Sequence, residues 1–230
     1  MRIGLLADIH GNHVAFEAAL IFLKSRVDRI LFAGDLVGYY PFVKECLELW
    51  DDDLMIGVRG NHDQVLLDCV SENKSPSSEY SSRYGNSLER CLQTLSARDV
   101  ERISKMKISL EISFQDVLFS VFHGSPWDIL EGRVYPDFKD WHLFESVKSD
   151  IVLLGQTHHP MECSWKNKRI INPGSIGQPR NRIGAFACCA EIDLASSVVT
   201  QHQVPYDPAV VIQDARKANP DMPYLVEVFK

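Results

Sequence analysis

Over the first sixty residues, short apolar runs alternate with amphipathic stretches: IGLLAD, then 14–26, RILFAGD, then 42–50, and LMIGVRG. Within the longer stretches, Ala15, Ala18, Ala19 and Phe22, and again Val43, Cys46, Leu47 and Trp50, recur at i, i+3, i+4 and i+7. That spacing predicts two helices, the second opened by Pro41. The apolar runs show no alternation, which suits strands buried on both faces and paired in parallel through right-handed crossovers.

The pattern changes further along. Residues 71–87 are polar and serine-rich and read as a long loop, a lid or a disordered interval. Helical periodicity returns at Leu88, Cys91, Leu92 and Leu95, and Ser96 with Asp99 forms a capping-box pattern. Ile108, Leu110, Ile112 and Phe114 then alternate with polar residues, as do Val117, Phe119 and Val121 beyond a turn near Gln115 and Asp116, predicting a hairpin. A helix at about 139–148 is expected before the strand that ends in GQTHHP. KRIIN follows, then a closing hairpin of GAFACCAEIDL with VVTQHQV, and a covering helix and tail after Pro205. A parallel half followed by a hairpin-rich half predicts an α/β fold in four layers, α-β-β-α: two mixed sheets packed face to face with helices outside.

At 230 residues, 45% of them hydrophobic, the chain is long enough for one substantial core, and a single domain over 1–230 is expected. The formal net charge of −7 argues against a surface that binds nucleic acid as a bulk ligand. No basic leader followed by an apolar segment and no run of membrane-spanning length is present, so a soluble, unprocessed protein is expected. Six cysteines without a C-x-x-C pair read as buried thiols and point to a reducing cytoplasm. Nothing in the pattern specifies a homo-oligomer.

Asp8, Asp35, Asn61, His123 and Gln156 each fall just after an apolar strand run, where ligands gather in open α/β sheets. Each alone has a plainer reading: Asp8 as a helix cap, Asp35 as a turn residue beside Gly34, His123 as a satisfied buried histidine. Spacing sharpens the case. If the chain leaves each strand extended, Asp8 and His10 share a side, as do Gln156 and His158, while His159 points away. Carboxylates mixed with imidazoles suit transition metals better than calcium.

The ordered set DIHGN, GDLVG, RGNHD, HG after a strand, and GQTHHP resembles the signature of the calcineurin-like metallophosphoesterases, and INPGSIGQPR resembles a stretch of their bacterial and archaeal phosphodiesterase branch. The resemblance implies two divalent transition metals, manganese first, with iron, nickel, cobalt or zinc as alternatives. Asp35 would bridge them; Asp8, His10 and His158 would complete one site, and Asn61, His123 and position 156 the other. The family has histidine at that last position and this chain has Gln156, which predicts a weaker second site. Two metals about 3.5–4 Å apart activate a water for in-line attack on phosphorus. His62 would lie near the leaving oxygen and either donate a proton or stabilise its charge, with Asp63 orienting its ring.

Arg59, beside the GNHD motif, and Arg180, in GQPR, are candidates to grip a phosphate, with solvated surface arginines as the competing reading. Asn172, Pro173, Gly174 and Ser175 read as a turn beside the site. Trp127 and Tyr135 either stack a base or belong to the core or rim. The expected function is hydrolysis of a small phosphodiester or phosphomonoester. The alternatives are a dinucleoside polyphosphate or nucleotide hydrolase, which DIHGN and GDLVGYYP also resemble, and a scaffold protein on the same fold that has lost catalysis.

Overall fold

The computed structural model describes residues 1–180 and 184–230. Strands β1 (Arg2–Leu6), β2 (Arg29–Phe32) and β3 (Met55–Gly57) are parallel and are linked by helices α1 (His13–Lys24) and α2 (Val43–Leu49). Asn12 caps α1 by accepting from the Ala15 amide. Helices α3 (Asn61–Ser71), α4 (Ser78–Tyr84), α5 (Ser87–Thr94) and α6 (Ala97–Lys105) follow, and the Ser96–Asp99 capping box starts α6.

The second half supplies β4 (Ser109–Phe114), β5 (Val117–Phe122), β6 (Ile151–Leu153), β7 (Met161–Trp165), β8 (Lys168–Asn172), β9 (Phe186–Asp193) and β10 (Val198–Pro205), then α7 (Ala209–Ala218) and α8 (Tyr224–Glu227). There are two five-stranded mixed sheets, ordered β10-β9-β1-β2-β3 and β4-β5-β6-β8-β7. The closing hairpin β9–β10 therefore belongs to the first sheet: β9 pairs antiparallel with β1, Ile3 opposite Ile192. Between the sheets lies a fully apolar layer that includes Leu5, Leu31, Phe119, Val121 and Leu153. A second cluster, with Phe16, Leu23, Phe32 and Leu66, packs the helices onto the outer face of the first sheet.

Two sequence expectations need correction. The 71–87 interval is not one loop but carries helix α4 over Ser78–Tyr84 between short connections. Ser77 accepts from the Tyr80 amide to cap α4, and Gly85 ends that helix at φ 79°. Its serines act as a cap and as tolerated helix positions, not as breakers. The helix expected at 139–148 is a single 3₁₀ turn, Trp141–Phe144. Trp141, Phe144 and Val147 repeat every three residues, the 3₁₀ period. They pack with Phe138 and Val152 to cover the outer face of the second sheet, so that layer is mostly irregular chain.

Candidate metal centre

Every predicted ligand sits just beyond the carboxyl end of a strand: Asp8 and His10 after β1, Asp35 after β2, Asn61 after β3, His123 after β5, Gln156 and His158 after β6. The loops are stitched to one another by main-chain bonds. Asp8 N donates to Gly34 O at 2.9 Å, His10 N to Asp35 O at 3.0 Å, and Gly155 N to His123 O at 2.9 Å. The 172–178 segment braces the first loop, because the Ser175 hydroxyl and the Gly177 amide both donate to Asp8 O. Asn172 holds the other side through Gly155 O and the Thr157 hydroxyl.

The side chains converge for a reason that extended geometry does not supply. Asp8, His10, Asp35, Gln156 and His158 all have φ between 52° and 67°. That left-handed conformation costs about 1 kcal/mol or more per non-glycine residue and concentrates at functional sites. His159 is half-buried against Tyr135 and belongs to none of the ligand groups. Two glycines make room. A Cβ at Gly38 would overlap the His10 ring, and one at Gly60 would overlap the Asp35 carboxylate.

Three sets of donor atoms lie within 4.8 Å of one another: Asp8, His10 and His158; His10, Asp35 and His62; Asp8, Asp35 and His123. His10 Nδ1 faces Val37 O at 2.9 Å and His158 Nδ1 faces Gln178 O at 2.7 Å. A carbonyl only accepts, so each ring carries its hydrogen on Nδ1. The two bare Nε2 lone pairs then face each other at 3.0 Å. Likewise His123 Nδ1 donates to Ala33 O, while Nε2 meets Asn61 Oδ1 at 3.1 Å and Asp35 Oδ2 at 3.2 Å. Asp8 Oδ2 is buried without a hydrogen-bond partner. Electron pairs gathered in this way, each ring held from behind by a carbonyl, fit divalent cations.

Burial and neighbouring charges reset the proton affinities of these groups. Burial, reinforced by the Asp35 charge, pushes the Asp8 carboxyl up to about 8. For Asp35 burial acts in the same direction, but the His123, His62 and His10 imidazoles outweigh it and hold the carboxyl below its usual range. Burial would lower His123, but Asp35 raises it to about 10. Burial drives His10 down to about 3 and lowers His158 and His62 as well.

The structure gives Asp63 and Arg59 roles other than those expected. Asp63 does not orient His62: its carboxylate accepts from the amides of Asp35, Leu36, Val37 and Gly60, securing the Asp35 turn and the start of α3. The partner of His62 Nδ1 is the Tyr80 hydroxyl at 2.6 Å, while His62 Nε2 lies 4.0 Å from Asp35 Oδ2. Arg59 does not line the cleft over the centre. Its guanidinium is engaged by Gln64 Oε1 and by the Ser104 and Met106 carbonyls at the end of α6. Gln156 does line the cleft, but its Nε2 donates to Leu130 O at 2.9 Å, which leaves Oε1 as the atom it has to offer.

The cleft has a volume of about 480 Å³, and His62, Gln156, His158, Arg180 and Tyr135 are among its walls. Trp127 instead stacks on Phe138 with ring centroids 5.7 Å apart, in the outer layer of the second sheet. Tyr80 was missed from sequence, as were Arg83 and Arg133 of the cleft wall. The signal for Tyr80 was the tyrosine pair at i and i+4 in SEYSSRY, an apolar anchor in an otherwise polar helix.

Residues 1–195 match the family model of the calcineurin-like phosphoesterase superfamily domain. An uncharacterized protein of Methanocaldococcus jannaschii is 29% identical over 211 residues, 81% of this chain and 81% of its own length. A phosphodiesterase of the same organism is 22% identical over 147 residues, 64% of this chain and 82% of its own. The crystal structure of a metallophosphoesterase from Sphaerobacter thermophilus superposes with a TM-score of 0.80 at 26% identity, covering 99% of this chain and 98% of that one. On this match, and on a fold that places every motif at one end of two facing sheets, the chain belongs to the calcineurin-like phosphoesterase superfamily.

Proposed function

We propose that this chain is a metal-dependent phosphoesterase that hydrolyses a small phosphodiester, with manganese as the first candidate metal. The observation that carries the reading is the pair of imidazole lone pairs opposed at 3.0 Å beside the unpartnered Asp8 Oδ2 and the buried Asp35 carboxylate. Bound divalent cations would supply an activated water and would neutralise the phosphoryl oxygens. Asp8, His10, His158 and Asp35 would hold one cation, and Asp35, His123, Asn61 and Gln156 the other. Backbone carbonyls of Val37, Ala33 and Gln178 keep the His10, His123 and His158 imidazoles oriented.

His62 has the position of a proton donor. Its Nε2 points into the same space as the ligands, and burial keeps the ring neutral at pH 7. A neutral imidazole carries one hydrogen. For Nε2 to hold it and pass it to the leaving oxygen, Nδ1 must accept, and the Tyr80 hydroxyl is the donor there. Arg180, whose guanidinium also donates to the Tyr39 hydroxyl, would meet the substrate at the cleft wall. No helix among the described residues is long and apolar enough to cross a membrane, and the sequence pattern of six cysteines without a C-x-x-C pair supports a reducing, cytoplasmic setting. The test is turnover of bis(4-nitrophenyl) phosphate with Mn²⁺ and other divalent metals. Folded protein with no turnover under any metal refutes the reading.

A further inference from the structure

The cleft above the metal centre has an unusual charge distribution for this chain. Arg83 of α4, Arg133 of the 125–140 connection and Arg180 of the loop after β8 come from distant parts of the sequence and share its wall. No aspartate or glutamate is among the cleft's wall residues. Among the described residues none of the three arginines pairs with a carboxylate. Elsewhere Arg2, Arg26, Arg90, Arg102 and Arg169 pair respectively with Asp193, Glu191, Asp214, Asp52 and Glu162, while Arg29, Arg59, Arg98 and Arg216 are scattered without a carboxylate. What sets the cleft apart is that three such arginines converge on one acid-free wall. With a net charge of −7, acidic partners are abundant elsewhere on the protein. Three unneutralised guanidinium groups therefore focus positive potential on one mouth.

We propose that the substrate carries a second phosphate besides the one that is cleaved, and that Arg83, Arg133 and Arg180 bind it. This rests on the hydrolase reading above and specifies its substrate class. The scissile phosphorus must sit on the floor, between His62 and the ligands. The rest of the molecule can then extend only into the cleft, and a neutral remainder would leave the arginines unanswered. Phosphate oxygens match the planar donor fork of arginine, often two bonds at a time. In the reaction the water oxygen forms its bond to the floor phosphorus, the ester P–O bond breaks, and the leaving oxygen takes the proton. The second phosphate is bound and not cleaved.

Two esters that differ in one group test this: thymidine 5′-(4-nitrophenyl phosphate) with and without a 3′-phosphate, each assayed at saturating metal. The extra phosphate is expected to raise kcat/KM about tenfold or more through charge-assisted bonds. That advantage should shrink as salt rises, because the arginines are solvent-facing. It should collapse in the Arg83→Ala, Arg133→Ala double variant and return in part with lysine at both positions. These side chains are exposed, and thermal melts check that the variants fold. Equal kcat/KM for the two esters, or an advantage that survives the double replacement, overturns the inference while leaving the hydrolase reading standing. Absence of turnover of both esters under every metal overturns the hydrolase reading, and the inference falls with it.

Discussion

Replacing Tyr80 with phenylalanine removes one oxygen from a buried, packed position. The Tyr80 ring lies edge-on to His62 at 5.4 Å and tilted against Tyr84 at 4.9 Å, contacts that phenylalanine keeps. What is lost is the 2.6 Å bond to His62 Nδ1. Leaving that nitrogen without its partner costs about 1–3 kcal/mol. Because the cost falls on the arrangement that puts hydrogen on Nε2, it appears in kcat as a loss of about 5- to 150-fold. The loss should depend on the leaving group. A nitrophenolate departs without a proton, while an alkoxide needs one, so the variant should lose far more activity toward an alkyl diester than toward a nitrophenyl one, with KM little changed. Equal losses on both substrates, or none on the alkyl ester, would refute Tyr80 as the residue that positions His62.

Gln156→His should raise metal occupancy at the second position, read by elemental analysis and calorimetric titration; two equally tight sites in the unaltered protein contradict this. Loading with Mn²⁺ should release protons, because Asp8 is raised to about 8 and His123 to about 10 in the metal-free protein. Apparent affinity should therefore climb with pH toward 8, about tenfold per unit for each proton displaced, and calorimetry that gives the same enthalpy in buffers of different ionisation heat would count against it. The same raised values set a stability trend. Protons on Asp8 and His123 favour the folded state at low pH, and this contribution is lost as pH rises toward the folded values. His10, lowered to about 3, is neutral in both states above about 6.5. Metal-free protein should thus melt lower at pH 8.5 than at 6.5, and a rise instead would break the argument. Gly60→Ala, whose Cβ would overlap the Asp35 carboxylate, should abolish tight metal binding, and wild-type affinity would show that the loop yields. Arg59→Ala should lower stability by about 1–2 kcal/mol through its lost carbonyl bonds without altering KM, and a raised KM would restore Arg59 to substrate binding.

The ligand positions were legible because each chemical residue directly follows an apolar strand run, and parallel strands deliver their carboxyl ends to one edge. The geometry at those positions was not. Alternation predicted that Asp8 and His10 share a side because the chain is extended there, whereas left-handed backbone at both produces the convergence. Partners across the fold were equally hidden. Asp63 follows His62 in sequence, yet its oxygens serve four backbone amides, and the ring is held by Tyr80 from a helix that its serines disguised as a loop. A one-dimensional pattern reports which face a side chain occupies. It does not report which of several buried donors stands opposite.

The pairing of β9 with β1 has a consequence for how the chain is made. β1 sits in the middle of the first sheet, flanked by β2 on one side and by β9 on the other. β2 follows β1 within thirty residues, but β9 begins only at Phe186. During synthesis the Arg2–Leu5 backbone therefore presents an unpaired, mostly apolar edge while some 180 further residues emerge, at a rate of about 5–20 residues per second. For that interval, roughly ten seconds or more at those rates, the nascent chain offers a template for pairing with another copy. A fragment cut before β9 keeps that edge permanently and should aggregate where the full chain does not.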